Sequence, residues 1–129
     1  MTESDLKART LQFGLQIIAL VDNLPRKPSA DAISRQLVRS ATSIGANYRA
    51  DCRARSRADF VAKLAIVEEE ADESAYWLEL LAKSGHAEPA HLRDLWREAE
   101  QITKIIVASI KTARAGARRP KTTTDSTQK

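Results

Sequence analysis

The chain has 129 residues, of which 43% are hydrophobic and 29% are charged, a composition that suits one globular domain with a polar surface. Only 4 Gly and 4 Pro residues occur and β-branched runs are few, which argues against a sheet protein. The single cysteine, Cys52, excludes an internal disulfide bond. The chain does not start like a signal peptide, and no apolar run reaches the roughly 20 residues of a membrane span. We therefore predict a cytoplasmic protein without a membrane partner.

The net charge of +4 is unevenly distributed along the chain. Residues 114–129 contain five Lys and Arg residues against one Asp, so the rest of the chain is neutral overall. The basic character therefore belongs to the end of the chain rather than to its body. Because the composition after Gly116 cannot bury apolar surface, we predict a disordered basic C-terminal tail over residues 116–129.

The first predicted helix runs from about Ser4 to Asn23 and ends before Pro25 and Pro28, because proline cannot continue a helix interior. The second predicted helix begins near Ser29, a residue type that often caps a helix N-terminus. In both segments the apolar residues recur at the spacing of one helix face. The first face comprises Leu6, Phe13, Ile17, Leu20 and Leu24, and the second comprises Ile33, Leu37, Ala41, Ile44, Tyr48 and Cys52.

The third predicted helix begins at Ser56, which has the spacing of a capping box with Asp59, and it ends at Ser84-Gly85. The fourth begins at Pro89, a residue favoured in the first turn. Their apolar seams are Phe60, Leu64, Val67, Ala71, Ser74, Leu78 and Leu81, and Leu92, Leu95, Ala99, Ile102, Ile106, Ile110 and Ala113. Four amphipathic helices with short links predict an all-α fold, an antiparallel up-down four-helix bundle over residues 1–115.

Several segments of the chain resemble a known bacterial family. They are Gln36–Arg49, Arg55-Ser56, Asp59-Phe60, Glu70–Glu73 and Tyr76–Leu81. These segments resemble the four-helix-bundle proteins named for intervening sequences of large-subunit rRNA, and the accessory variability proteins of diversity-generating retroelements look like relatives. The resemblance implies an up-down bundle that assembles into a ring, a homopentamer, without enzymatic activity. It also implies nucleic-acid binding, which is best established for the retroelement relatives.

An arginine stripe on the second helix is the first candidate site. At 100° per residue its members fall within about an 80° sector opposite the core face. Guanidinium groups bind phosphates in bidentate geometry, so the stripe predicts binding to structured RNA or DNA. The alternatives are a solvated face or pairing with carboxylates of another helix or a protein partner. The stripe comprises Arg35, Arg39, Arg49 and Arg53, with Arg55 and Arg57 after it and Arg118, Arg119 and Lys121 in the tail.

An acidic block on the third helix could answer these charges. Residues 68–79 contain six carboxylates and no cation. The arginine stripe could pair with these carboxylates within the bundle or across a subunit boundary, and our hypothesis is that part of it binds Glu69 or Glu73 of a neighbouring subunit. Consecutive acids point in different directions, and Glu88 to His91 is the one Glu-x-x-His sequence, so we predict no metal site and no cofactor.

Small polar residues form a row beside the core face of the second helix, and we expect it to make a helix–helix or subunit contact. A serine nucleophile would need a nearby base, and the only histidines, His86 and His91, lie in a loop and at a helix start, so we predict no enzyme. The row comprises Ser40, Ser43, Asn47 and Asp51. On the fourth helix, a shared face of Arg93, Arg97, Lys104 and Lys111 is interpreted as solvated. Trp77 and Trp96 are interpreted as core or interface anchors.

Two functional hypotheses stay open from the sequence. The first is a non-enzymatic, ring-forming bundle that binds RNA or DNA through basic surface residues. The second is an interaction scaffold in which the same charged faces hold its own subunits or a protein partner. Near-neutral charge over the first 113 residues favours the second hypothesis, whereas the family resemblance favours the first.

Overall fold

A computed structural model of the chain describes the backbone of residues 1–118 and the side chains of residues 1–116. Its four helices are α1 (Glu3–Asp22), α2 (Pro28–Asp51), α3 (Arg57–Lys83) and α4 (Pro89–Arg118). The residues that the structure describes contain no strand, so the predicted all-α class is confirmed. Over this part of the chain, no helix is both long and apolar enough to cross a membrane.

Each helix packs antiparallel against the next one along the chain, and α1 closes the bundle against α4. Thr10 of α1 lies beside Gly45 of α2, where a Cβ atom would come 3.5 Å from the Thr10 hydroxyl. The contact between α1 and α4 carries a bidentate ion pair, in which the Arg9 guanidinium donates to both Glu98 oxygens at 2.6 and 2.7 Å. The four helices therefore enclose one shared core.

The predicted apolar seams meet in that core. Large side chains from all four helices are fully buried there, and burying each one contributes roughly 1.5–3 kcal/mol to folding relative to leaving it exposed. The fully buried apolar residues include Phe13, Ile17, Leu37, Ile44, Leu64, Val67, Leu81, Ile102 and Ile106. Because one face of each helix is used in this way, function must reside on the outer faces.

Three predicted helix ends are confirmed. The Ser56 hydroxyl accepts a hydrogen bond from the Asp59 amide at 3.1 Å, which caps α3. The Asp59 carboxylate accepts from Lys63 Nζ at 2.9 Å, so the pair lacks the reciprocal bond of a capping box. Gly85 follows α3 with a φ of +80°, a conformation that glycine adopts without strain, and α4 begins at Pro89.

Two predicted helix ends were wrong. Ser29 does not cap α2, because Pro28 already occupies the first helical position, where its ring presets the helical φ angle. The Ser29 hydroxyl instead lies 2.8 Å from Nε2 of His86. α4 continues through Gly116, past the predicted boundary at residue 115, since one glycine costs a helix only about 1 kcal/mol relative to alanine. The rest of the predicted tail, residues 119–129, lies outside the described residues.

Candidate functional site

The arginine stripe on α2 is partly neutralised within the chain. The Arg39 guanidinium donates to Glu70 Oε1 at 3.2 Å and also binds the Glu73 carboxylate, both on α3. These hydrogen bonds, the one to Glu73 foremost, raise the pKa of Arg39. Glu73 accepts a further hydrogen bond from Trp77 Nε1 at 3.0 Å. Glu73, which we expected to bind the arginine stripe of a neighbouring subunit, instead binds Arg39 of its own chain, because α2 and α3 pack side by side in the bundle.

Four other predicted cations are exposed, and within the described part of the chain none of them forms an ion pair. α2 ends at Asp51, so the later residues leave the helix and the stripe is interrupted rather than continuous. These four exposed arginines are Arg35, Arg49, Arg53 and Arg55.

The remaining predicted cations include one that holds two helices together. Arg57, at the start of α3, donates through Nη1 to the carbonyl oxygen of Ala113 on α4 at 3.1 Å. Its guanidinium therefore has a structural partner, although the side chain is largely exposed. The side chain of Arg118, and Arg119 and Lys121 as whole residues, lie outside the described residues, so their role stays a prediction.

The small polar row on α2 makes contacts within its own chain. The hydroxyl oxygens of Ser40 and Ser74 lie 2.9 Å apart in a hydrogen bond between α2 and α3. Ser40 is fully buried, so its side chain offers no surface to a second subunit. The Asn47 amide donates to the Ser43 hydroxyl at 2.8 Å, and both residues are half-buried. Ser43 and Asn47 therefore keep some surface for a subunit contact.

Asp51, the last residue of the same row, is buried without compensation. Its side chain is fully buried, and neither carboxylate oxygen has a hydrogen-bond partner among the described residues. Burial raises the pKa of Asp51 to about 6, and the neighbouring Asp59 carboxylate adds to the shift while Lys63 opposes it. The negative end of the α2 dipole also disfavours a carboxylate at this position. The folded state therefore keeps Asp51 protonated up to a pH of about 6, higher than the unfolded chain does.

Within residues 1–116, the side chains that could hold a metal or form a nucleophile–base–carboxylate triad lie apart from one another. Among the described residues, no three His, Cys, Asp or Glu side chains could hold a metal ion together. Burial raises the pKa of the Cys52 thiol, which keeps it from ionising as a nucleophile would. The Ser29–His86 contact is exposed, and within the described chain no carboxylate bonds the imidazole ring. We assign no catalytic role to these residues.

The outer face of α4 carries the largest set of exposed cations without ion-pair partners in the described part of the chain. At 100° and 1.5 Å per residue they occupy about a 100° sector over about 31 Å of helix. Glu100 lies in the same sector but forms no ion pair with them there. The spacing of four of these residues was visible in the sequence. We call this set the α4 basic row: Arg93, Arg97, Lys104, Lys111 and Arg114.

An apolar groove of about 350 Å³ lies between α1 and α2. Three large side chains of α1, one helical turn apart, line it while they are 54%, 52% and 40% exposed: Leu11, Leu15 and Ile18. The small residues Gly14, Gly45 and Ala46 keep the groove open. Its rim carries Lys7, Arg49 and Arg53. A contiguous apolar stripe with a charged rim is typical of an interaction surface.

Comparisons with known proteins agree with this architecture. A family model described as 23S rRNA-intervening sequence protein matches residues 2–108. A crystal structure of a protein with unknown function from the S23 ribosomal protein family of Bacteroides thetaiotaomicron is 36% identical, with a TM-score of 0.79. The match covers 86% of this chain and 99% of that one. No curated protein matches the chain. Neither matching description names an enzymatic activity.

Proposed function

The chain belongs to the 23S rRNA-intervening sequence protein family, and we propose that it binds RNA through the phosphate backbone, with the α4 basic row as the contact surface. One observation carries the proposal: five cations without an ion-pair partner in the described part of the chain share one uninterrupted helix face. The α2 row is instead divided by Arg39, which binds two carboxylates, and by the end of α2 at Asp51. A cation that already forms an ion pair gains little binding free energy from a phosphate. Cations without an ion pair on one face can still gain that binding free energy.

The geometry of the row suits a polyanion better than a small anion. Arg97, Lys104 and Lys111 follow each other at seven-residue intervals, which are about 10 Å on a helix. Side chains that far apart reach separate phosphates rather than one shared anion. Such contacts release counterions and read no base edges, so binding should be steeply salt-dependent and weakly sequence-specific. The family description refers to rRNA, which favours RNA over DNA.

Fluorescence anisotropy with an RNA duplex across a salt series tests the proposal on the full chain. Three triple Arg/Lys→Gln variants remove the same charge from three places. The first alters Lys104, Lys111 and Arg114 on α4. The second alters Arg35, Arg49 and Arg53, and the third alters Arg118, Arg119 and Lys121. Folding and oligomer mass are measured for each variant.

We expect the α4 variant alone to reduce the slope of log affinity against log salt, by about 2 to 3. Equal losses in all three variants would mean that only net charge matters. A loss confined to the second or third variant would move the interface to the arginine stripe or to the tail. A DNA duplex of equal length, measured in parallel, should bind more weakly, and stronger DNA binding would reverse the preference for RNA. Absence of binding at low salt would end the proposal.

A second candidate function, self-assembly as a scaffold, is favoured by the apolar groove between α1 and α2. The outer face of α3 offers a matching surface, because Ile66 and Tyr76 are 41% and 55% exposed and stand among Glu69 and Asp72. Apolar side chains on both surfaces, with a basic rim on one and acids on the other, are complementary. Since the two surfaces differ, joining them between copies is a heterologous contact, which closes into a ring or continues as a chain.

A charge exchange tests this assembly by native mass spectrometry. Arg49→Glu on the groove rim should lower the oligomer mass, and adding Glu69→Arg on α3 should restore it in the double variant. Arg35→Glu makes the same charge change on α2 outside the groove and should leave the mass unaltered. If Arg49→Glu does not lower the oligomer mass, the groove is not the subunit interface. If Arg49→Glu lowers the mass and Glu69→Arg does not restore it, the groove binds a surface other than α3. The α4 basic row lies on another helix, so both functions can coexist.

A further inference from the structure

We propose that a groove between α3 and α4 holds an unpaired nucleobase stacked on Trp96, with the adjoining phosphate on Arg93 and Arg97. This inference rests on the proposed function, since it adds a single-strand subsite to the α4 basic row. The groove has a volume of about 440 Å³, which lies within the range of about 300–1,000 Å³ for small-molecule sites. No carboxylate within the described chain pairs with either arginine.

Trp96 is the aromatic side chain that makes this groove unusual. It is 39% exposed, whereas Leu92 and Ala99, about one turn away on either side, are buried in the core. The other tryptophan, Trp77, is half-buried and donates its indole N–H to Glu73. Among the described residues the Trp96 indole N–H has no such partner. Exposing so large an apolar ring at a groove has a cost unless a flat partner covers it.

The walls of the groove supply the other contacts that a nucleotide needs. Leu78 and Ala82 of α3 form an apolar floor with Leu92 of α4, so a planar base can leave water there. Lys83 stands on the α3 side and lies 3.7 Å from Glu79, an exposed pair that leaves the ammonium available to an anion. An aromatic face, an apolar floor and cations at the edge are the elements by which single strands are bound.

The groove is continuous with the α4 basic row, and this continuity favours a nucleotide as the ligand of the groove. Arg93 and Arg97 belong both to the row and to the groove, so a strand whose phosphates follow the row reaches Trp96 at its end. An acidic peptide would satisfy the cations but has no need of an exposed indole. A neutral apolar peptide would cover the indole but leave the arginines unanswered. An unpaired nucleotide satisfies both features at once.

Tryptophan fluorescence of the full chain tests the site. Trp77→Phe leaves Trp96 as the single reporter, and the titrants are a single-stranded RNA and a blunt RNA duplex without unpaired bases. We expect the single strand to quench Trp96 with the midpoint seen by anisotropy, and the duplex to bind without comparable quenching. Trp96→Leu should lower single-strand affinity by about tenfold while duplex affinity stays within about twofold, and Trp96→Phe should recover part of the loss.

Gln101→Leu is the matched control, since it places the same leucine at an exposed, uncharged position of α4 outside the α4 basic row, and it should change neither affinity. Unchanged single-strand affinity in Trp96→Leu, with duplex binding intact, would overturn the stacking site and leave the proposed function standing. If the single strand still binds and quenches Trp96 while the duplex does not bind, the proposed duplex-binding function is overturned and the stacking site stands. A change of oligomer mass in Trp96→Leu, without any change in affinity, would assign the groove to a protein contact instead. No binding of either RNA would overturn both.

Discussion

Helices α2 and α4 both present a row of cations on one face, but in the described part of the chain only the first row forms ion pairs with carboxylates on a neighbouring helix. Arg39 on α2 lies across from Glu70 and Glu73 of α3 and binds both. The α4 basic row forms no such pair in the described part of the chain, since Glu79, the α3 carboxylate in the groove with Arg93 and Arg97, pairs with Lys83. A row of cations in a sequence therefore does not by itself predict a binding surface. Carboxylates on the adjacent helix determine whether those cations are free to bind an anion. We therefore expect changes on α2 to alter mainly the stability of the bundle and changes on α4 to alter mainly RNA binding.

The largest expected effect is on the free energy of unfolding and concerns Asp51, a buried carboxylate of α2 that forms no hydrogen bond or ion pair with any described residue of α3. Its folded-state pKa of about 6 lies above the ordinary value of 3.8, so the folded protein binds the proton more tightly than the unfolded chain. The free energy of unfolding should therefore fall as pH rises from about 4 to 6, by up to about 3 kcal/mol. Asp51→Asn should be more stable than the parent at pH 8 by a similar amount, as measured by urea unfolding.

Two controls test whether the gain in stability comes from removing the buried carboxylate. At pH 4 the variant and the parent should have similar stability, since the parent carboxyl is then protonated. Asp72→Asn, on the exposed face of α3, makes the same charge change and should shift stability by less than about 0.5 kcal/mol. If Asp51→Asn were destabilising at pH 8, the carboxylate would have a partner that the described residues do not supply.

A smaller effect should follow when the buried hydrogen bond between α2 and α3 is removed. Ser74→Ala deletes one hydroxyl of the Ser40–Ser74 pair, leaves the other with fewer partners and opens a small void. We expect a loss of about 1–2 kcal/mol in the free energy of unfolding. Ser43→Ala, at the half-buried member of the same row, should lose less than about 0.5 kcal/mol. Equal losses would mean that burial does not separate the two serines.

The sequence was sufficient for the architecture because period and helix punctuation are local properties. The seam residues, the cap at Ser56 and the stop at Gly85 all depend on positions within one helix. The site depended on positions in two helices, and there the sequence was less informative. It placed Arg39 and Glu73 as candidates for a partner without showing that each is the other's partner. It also left Trp96 as a core or interface anchor, since its exposure depends on how α3 and α4 pack.

Unmasking Arg39 would sharpen the contrast between the two rows. Glu70→Gln with Glu73→Gln removes both carboxylates from Arg39, which then resembles the unpaired cations of α4. We expect RNA-duplex affinity at low salt to rise by about three- to tenfold, as one more phosphate contact becomes available. Glu68→Gln with Asp72→Asn removes the same charge from α3 without touching Arg39, so any larger effect of the first pair reports on Arg39 itself. Equal gains in both pairs would show that long-range repulsion, not masking, kept RNA from α2.

The smallest expected effect is on the stability of Arg39→Gln, measured by urea unfolding at 0.1 M and 1 M salt. The Arg39 side chain is 47% exposed, so its ion pairs lie largely in water and each contributes about 0–1 kcal/mol. We expect a loss below about 1 kcal/mol at low salt that shrinks at 1 M, and no loss in Lys104→Gln on α4. A loss above about 2 kcal/mol would make Arg39 a stabilising residue of the α2–α3 contact. The expected small loss would instead mean that pairing mainly neutralises α2, because the pair then removes charge from the surface while contributing little to the fold.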